Sequence, residues 1–137
     1  MTTRKPPEEL VHFVEDMYAV EMQAIAQLET APKIAEEPAL AEALHVHLPE
    51  TETQADALRT RLEELGGSPP AIKDAVMKLG GKGMVLFAKA QPETPGRLAA
   101  HAYAFEAMEW AGYEMLIRMS NALGDTPTAE VAAAIRD

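Results

Sequence analysis

The sequence has no cysteine among its 137 residues, which excludes disulfide bonds and thiolate ligands for a metal. It is also poor in basic residues, with 12 Lys and Arg against 22 Asp and Glu, and its net charge is −10. Nucleic-acid-binding proteins and proteins of anionic membrane surfaces carry a basic footprint, so this balance argues against both partners.

Long apolar stretches are missing as well. No apolar run approaches the ~18 residues of a transmembrane helix, and the first ten residues contain no apolar signal region. Together with the absence of cysteine, these features predict a cytoplasmic protein with no membrane partner.

What the sequence does contain is apolar residues at helical spacing. Hydrophobic residues make up 47% of the chain, enough for a single domain spanning 1–137 with a core of its own. We find no stretch that alternates with the period of a strand, and no internal repeat. The predicted fold class is therefore all-α, most simply an antiparallel four-helix bundle.

Prolines and glycines mark the expected ends of the first two helices. The first helix starts after Pro6-Pro7, and Pro32 is expected to stop it. The second starts at Pro38 and ends at Gly66-Gly67. Pro49 lies inside the second helix and should kink it or split it in two, because proline has no backbone N–H to donate.

The third helix is expected to begin at Pro95 and to close at Gly124. A fourth follows, capped by Asp125 or Thr126, and it holds only about three turns before the chain ends, which is short for a bundle helix. Between the second and third helices, extra short helices are expected at 68–79 and 84–90.

Two glutamates of the third helix lie where core side chains are expected. When the helix is drawn at 100° per residue, Glu109 falls near the middle of the apolar face and Glu106 lies beside it. Such carboxylates are costly to bury unless they are paired, protonated or bound to a cation. Because two of them one turn apart repel each other, they indicate a positive group between the helices. Glu21 lies in the same way within the apolar face of the first helix.

The second helix gives a weaker signal of the same kind. His47, Glu50 and Gln54 follow one edge of its apolar face, beside the core rather than opposite it. Tyr113 follows Glu109 by one turn, which makes it the better candidate among the tyrosines to hydrogen-bond a buried carboxylate.

The Glu-x-x-His string typical of dinuclear metal sites occurs twice, but in other places. It spans Glu9 to His12 and Glu42 to His45. By helical geometry, His12, Glu42 and His45 point away from the apolar faces. We therefore predict that both strings face solvent and bind nothing.

Carboxylates that project inward from facing helices, together with histidines, are how dinuclear iron or manganese sites are built in helical bundles. Glutamate can bridge two cations, and imidazole suits the same metals. The residues themselves indicate such a site around Glu21, Glu106 and Glu109, with His47 and Glu50 nearby.

Three segments resemble the YciE/YciF-like bacterial stress proteins of the ferritin-like superfamily. They are YAVEMQ, HLPETETQADALRTRLEELGGSP and YAFEAMEWAGYEMLIRMSNALGD, and their order and spacing match as well. The resemblance implies a ferritin-like four-helix bundle with extra short helices and a dinuclear iron site. It also implies a homodimer, since members of the family are commonly dimeric. It assigns the metal ligands to Glu21, His47, Glu50, Glu106 and Glu109.

The sequence departs from the family in two places. Pro49 stands where the family has a helix-favouring residue, between His47 and Glu50. Family members also continue through a longer fourth helix that carries further acids, so the fourth helix here is expected to be short or truncated and part of the ligand set to be missing.

Two classes of function follow. The first is a metalloprotein with a carboxylate-bridged di-iron or di-manganese site, handling iron, oxygen or peroxide under stress, with oxidase- or peroxidase-type activity as a candidate reaction. The second is a metal-free helical dimer with a structural or protein-interaction role, in which the buried acids only fix register or partner choice.

Overall fold

The structure, a computed structural model, describes residues 7–34, 37–67 and 95–137. These residues form four α-helices and contain no strand, which confirms the all-α prediction. In chain order the helices are α1 (Glu8–Ile34), α2 (Pro38–Glu64), α3 (Pro95–Ala122) and α4 (Thr126–Arg136). The short helices expected at 68–79 and 84–90 lie outside the described residues.

The observed caps explain where α2 and α4 begin. The Glu37 carboxylate accepts hydrogen bonds from two backbone N–H groups of the first turn of α2, which starts at Pro38 as predicted. Asp125 caps α4 in the same way, accepting from the backbone N–H of Thr128. Gly66 and Gly124 follow α2 and α3 with positive φ angles of 85° and 75°, a conformation that glycine adopts without steric cost.

The predicted helix end at Pro32 and the predicted division of α2 at Pro49 were wrong. α1 continues through Pro32 to Ile34, and α2 runs unbroken through Pro49. A proline inside a helix removes one hydrogen bond, and the turns on either side can keep their own. Around Pro49, the hydroxyl groups of Thr51 and Thr53 donate to the carbonyls of residues 47 and 49, at 3.1 and 3.0 Å.

The core forms along the apolar faces that helical spacing predicts. Leu10, Val14 and Met17 of α1 are buried, as are Leu58 and Leu62 of α2. α3 contributes Tyr113 and Leu116, and α4 contributes Ala132, to the same cluster. All four helices therefore share one core, as a single domain requires.

The order of contacts along the helices defines the topology. Leu28 of α1 packs in one cluster with Leu44 of α2, while Tyr18 lies within electrostatic range of Arg59, so α1 and α2 are antiparallel. Between α2 and α3 the order is different, because His47 meets Glu106 and Arg61 meets Asp125.

α2 and α3 therefore run parallel, so the end of α2 and the start of α3 lie at opposite ends of the bundle. α2, with 27 residues, is about 40 Å long, and the connection has to span about that distance. α4 folds back on α3, and Arg136 near its end reaches Glu114 at 2.6 Å. In the part of the chain that the structure describes, no helix is both long and apolar enough to cross a membrane.

Arg61 joins the end of α2 to the start of α4. Its guanidinium donates to the Thr128 hydroxyl at 2.8 Å and to both oxygens of Asp125 at 3.0 and 3.2 Å. The side chains of Arg61 and Asp125 are only 14% and 13% exposed. Burial disfavours the charge of Asp125, but the hydrogen bonds from Thr128 and Arg61 outweigh it and lower the pKa of that carboxyl.

We predict that Arg61→Ala lowers the free energy of unfolding by about 2–4 kcal/mol, because it leaves the half-buried Asp125 without its charged partner. Arg59 on the same helix offers a matched control, since its pair with Asp56 is exposed. Arg59→Ala should cost less than about 1 kcal/mol. Urea denaturation of the two variants measures the difference, and equal losses would contradict this account of Arg61.

Candidate metal centre

Glu21 is the buried charge at the middle of the bundle. It is 0% exposed, and α1 presents it toward α3 one turn after the core residue Met17. The Tyr113 hydroxyl donates a short hydrogen bond to Oε1 of Glu21, as expected for a tyrosine close to a buried carboxylate. The other oxygen, Oε2, is buried and has no hydrogen-bond partner unless Glu21 and Glu109 share a proton, which would join the two carboxyl groups by a hydrogen bond. A native structure rarely leaves such an atom unpaired without a reason.

Glu109 of α3 lies beside Glu21 and is partly buried. Burial raises the pKa of both carboxyl groups above the ordinary value of 4.5, and the neighbouring charges of Glu21 and Glu106 raise that of Glu109 further. The hydrogen bond from Tyr113 opposes the shift of Glu21 without cancelling it. In the metal-free protein this pair therefore favours a proton at neutral pH.

His47 connects the carboxylates at the surface to this buried pair. Its Nε2 lies 3.0 Å from Oε1 of Glu106 on α3, and its Nδ1 lies 3.3 Å from Oε2 of Glu50 on its own helix. The charge of His47 also acts on Glu21, whose pKa it lowers. The five predicted ligands therefore form one electrostatically connected group across α1, α2 and α3.

A cavity of about 220 Å³ lies over this group. Four of the predicted ligands line it, together with Gln54, Tyr113 and residues from the end of α4. The prediction that His47, Glu50 and Gln54 share one edge of α2 is consistent with this lining. The lining residues are His47, Glu50, Gln54, Glu106, Glu109, Trp110, Tyr113, Ile135, Arg136 and Asp137.

Not all of the predicted ligands lie as deep as expected. Only Glu21 is fully buried, whereas the side chains of Glu106 and Glu50 are 59% and 66% exposed. Glu106 was expected beside the core, but it stands about 60° around α3 from Glu109. The described ion pair that joins α4 to α3 reaches α3 only at Glu114, two turns further along, so this part of α3 stays open to solvent.

The two Glu-x-x-His strings lie at the surface, as predicted. Glu9, His12, Glu42 and His45 are all exposed. The His12 ring lies 3.5 Å from Glu8 and 3.4 Å from Glu15, and the hydrogen bonds to these carboxylates, that to Glu15 first, raise its pKa. The helical phase read from the sequence therefore separates these strings from the buried acids.

The donor set suits iron or manganese in its chemistry. Carboxylate oxygens with one imidazole nitrogen are typical ligands of these metals, and the free Oε2 of Glu21 supplies a buried acceptor without a partner. The side chains do not, however, form a complete metal site as they stand. Among the described residues, no three His, Asp or Glu side chains are grouped around one point that could hold a metal. The exposed carboxylates of Glu50 and Glu106 would have to turn inward to complete one.

Sequence reasoning missed the rest of the cavity wall. Trp110 follows Glu109 directly in the sequence, and Glu109 was predicted to lie on the apolar face of its helix. The position of Trp110 close to the acids could therefore have been predicted. Ile135, Arg136 and Asp137 gave no such signal, because their place in the wall depends on how α4 packs back along the bundle.

Comparison with known proteins gives a family for almost the entire chain. Residues 5–137 match the family described as Domain of unknown function (DUF892). No solved structure matches the chain. The chain, with its buried Glu21 and its histidine–carboxylate cavity, belongs to the DUF892 family.

Proposed function

We propose that this protein binds two iron or manganese ions in the cavity through Glu21, His47, Glu50, Glu106 and Glu109. The observation that carries the proposal is the buried Glu21, one of whose oxygens has no partner, next to a second carboxyl whose pKa its charge raises. A bundle core gains nothing from such a pair unless a cation or a proton lies between them.

A cation fits better than a proton for one physical reason. A proton can relieve the repulsion between Glu21 and Glu109, but it gives no role to the histidine and two further carboxylates that line the same cavity. A dinuclear metal site uses all five groups, since carboxylates can bridge two ions while imidazole and the remaining carboxylates complete their coordination.

The topology supports a ferritin-like relationship. Ferritin-like bundles differ from simple up-and-down bundles by one long crossover connection, and the parallel course of α2 and α3 requires a connection of that kind. Together with the resemblance to YciE/YciF-like stress proteins, this favours a cytoplasmic role in handling iron, oxygen or peroxide.

A bound metal pair would supply electrons to oxygen or peroxide and stabilise the charge that develops there. The residues of the chain do the rest. Tyr113 holds the Glu21 carboxylate in place through its hydrogen bond. The apolar side chains around Glu21, such as Met17 and Leu116, keep bulk water from the inner side of the centre.

We propose further that the protein is a homodimer formed through α3. Four large apolar side chains of this helix are exposed, as is one directly after its end, and tyrosine, tryptophan and methionine are the types enriched in protein interfaces. A second copy is the occupant we propose, because the resemblance implies a dimer. The exposed residues are Tyr103, Met108, Trp110 and Met115 of α3, and Leu123 after it.

One observation favours the metal-free alternative. The described donors are not yet grouped around a single point, so a bundle whose acids simply share protons and fix the register of α1 and α3 also agrees with the geometry. Such a protein would have a structural or protein-interaction role.

The two accounts predict different responses of stability to metal. With free Mn²⁺ or Fe²⁺ at about 100 times the Kd, the wild-type free energy of unfolding should rise by about 2.7 kcal/mol, because only the folded state holds the ligands. Glu109→Gln should stabilise the metal-free protein, because it removes a buried carboxylate that Glu21 repels. The same substitution should reduce the rise in the free energy of unfolding that metal causes. Thermal melts of the wild type and the variant, with and without metal, measure the direction of each change in stability.

Glu42→Ala and His45→Ala are the matched controls, since both residues are exposed near His47 on α2. Neither should change the metal response. If metal leaves the melting temperature of the wild type unmoved, the dinuclear site does not form in this chain and the metal-free account stands.

The raised pKa values also predict how pH acts on the metal-free protein. In the unfolded chain both glutamates ionise near pH 4.5, whereas the folded protein holds their protons to higher pH. The unfolded state then binds fewer protons, so stability should fall as pH rises above about 5, by up to about 1.4 kcal/mol per pH unit for each group. Urea melts in chelator from pH 5 to 8 test this, and Glu109→Gln should flatten the slope. Stability that rises over this range would contradict it.

Light scattering tests the dimer. The wild type should have twice the mass of one chain, and the double variant Met108→Lys/Met115→Lys should be monomeric, because it places charges on one side of α3. Thr60→Lys, at an exposed position of α2, is the control and should remain dimeric. A monomeric wild type would refute the dimer without affecting the metal site.

A further inference from the structure

α1 and α3 are in close contact at a glycine. Gly112 lies against the end of the Met17 side chain, and a Cβ placed on Gly112 would lie 2.6 Å from the Met17 sulfur and 2.7 Å from its methyl carbon. Ordinary contact requires 3.4–4 Å. Any side chain at position 112 therefore forces Met17 to move or the two helices to separate.

The contact lies at the level of the candidate metal centre. On α3, Gly112 directly precedes Tyr113 and follows Glu109 by one turn; on α1, Met17 precedes Glu21 by one turn. The hydrogen bond from Tyr113 to Glu21 crosses between the same two helices next to this contact. The distance between α1 and α3 here is therefore also the distance across which the carboxylates must meet.

Met17 can relieve the clash only if the far end of its flexible side chain can move within the core. It is 4% exposed and packs in the main core cluster, where most neighbours are buried as well. Close packing leaves few voids that could receive a displaced thioether. Glycine inside a helix costs about 0.5–1 kcal/mol relative to alanine, so helix propensity alone would favour alanine at position 112.

We propose that Gly112 and Met17 are positioning residues, whose contact sets the separation of α1 and α3 and thereby the affinity of the centre for metal. This inference rests on the proposed function, because it concerns the geometry of that same site. Neither residue is one of the proposed ligands; both act by holding Glu21 and Glu109 next to each other.

The first test compares Mn²⁺ binding by calorimetry in four variants. Gly112→Ala should weaken binding about 10- to 100-fold, the usual effect of disturbing residues that orient ligands. Adding Met17→Ala to Gly112→Ala should restore affinity to within about threefold of the wild type, because it removes the atoms that clash. Met17→Ala alone should also weaken binding several-fold, because it removes the contact that sets the separation. The control Ala111→Ser, on the exposed side of the same turn, should bind normally.

Wild-type affinity in folded Gly112→Ala would overturn the proposal, since Met17 would then move aside without consequence. Failure of the double variant to recover, with its helical circular-dichroism signal intact, would overturn it too, because the loss would not come from this contact.

The second test separates this inference from the proposed function. Thermal melts of the metal-free variants should be non-additive, with the double variant melting higher than the sum of the two single shifts predicts. If the wild type binds no Mn²⁺, the proposed function fails, and the melts alone decide whether the contact sets the helix separation. Additive shifts would refute that contact whatever the metal result.

Discussion

The hydrogen bond from Tyr113 to Glu21 is the interaction on which the rest of the bundle depends. It joins α1 to α3 at the buried centre, where a lone carboxylate would otherwise oppose packing. Every other described feature of the site lies around it: Glu109 beside the carboxylate, the Gly112–Met17 contact one residue away, and the cavity above. An interface of apolar residues alone would stabilise the two helices more simply. The buried polar groups therefore indicate a role other than stabilising the fold.

The extent to which the sequence predicts the fold and the candidate site differs from residue to residue. The four helices, the Asp125 cap and the burial of Glu21 followed from periodicity and from proline and glycine positions, because these depend only on local geometry. The same phase argument separated the exposed His12 and His45 from the core. The helical-phase argument predicted that Glu106 is more buried than it is. The burial of a residue at the edge of an apolar face depends on whether another helix covers it.

Other features were beyond periodicity. The parallel course of α2 and α3 depends on contacts such as Arg61 with Asp125, which lie 64 residues apart in the chain. The places of Arg136 and Ile135 in the cavity wall depend on the same packing. The sequence allowed either a kink or a division of α2 at Pro49, and the division does not occur because neighbouring helices hold α2 together.

The parallel course of α2 and α3 also divides the bundle into two antiparallel pairs, α1 with α2 and α3 with α4. The first pair carries Glu21, His47 and Glu50, and the second carries Glu106 and Glu109, so neither pair holds the whole candidate centre. Contacts within a pair join residues that are close in the chain, whereas a contact between the pairs, such as that of Tyr113 with Glu21, joins residues 92 positions apart. The five side chains can therefore meet only when the two pairs have docked.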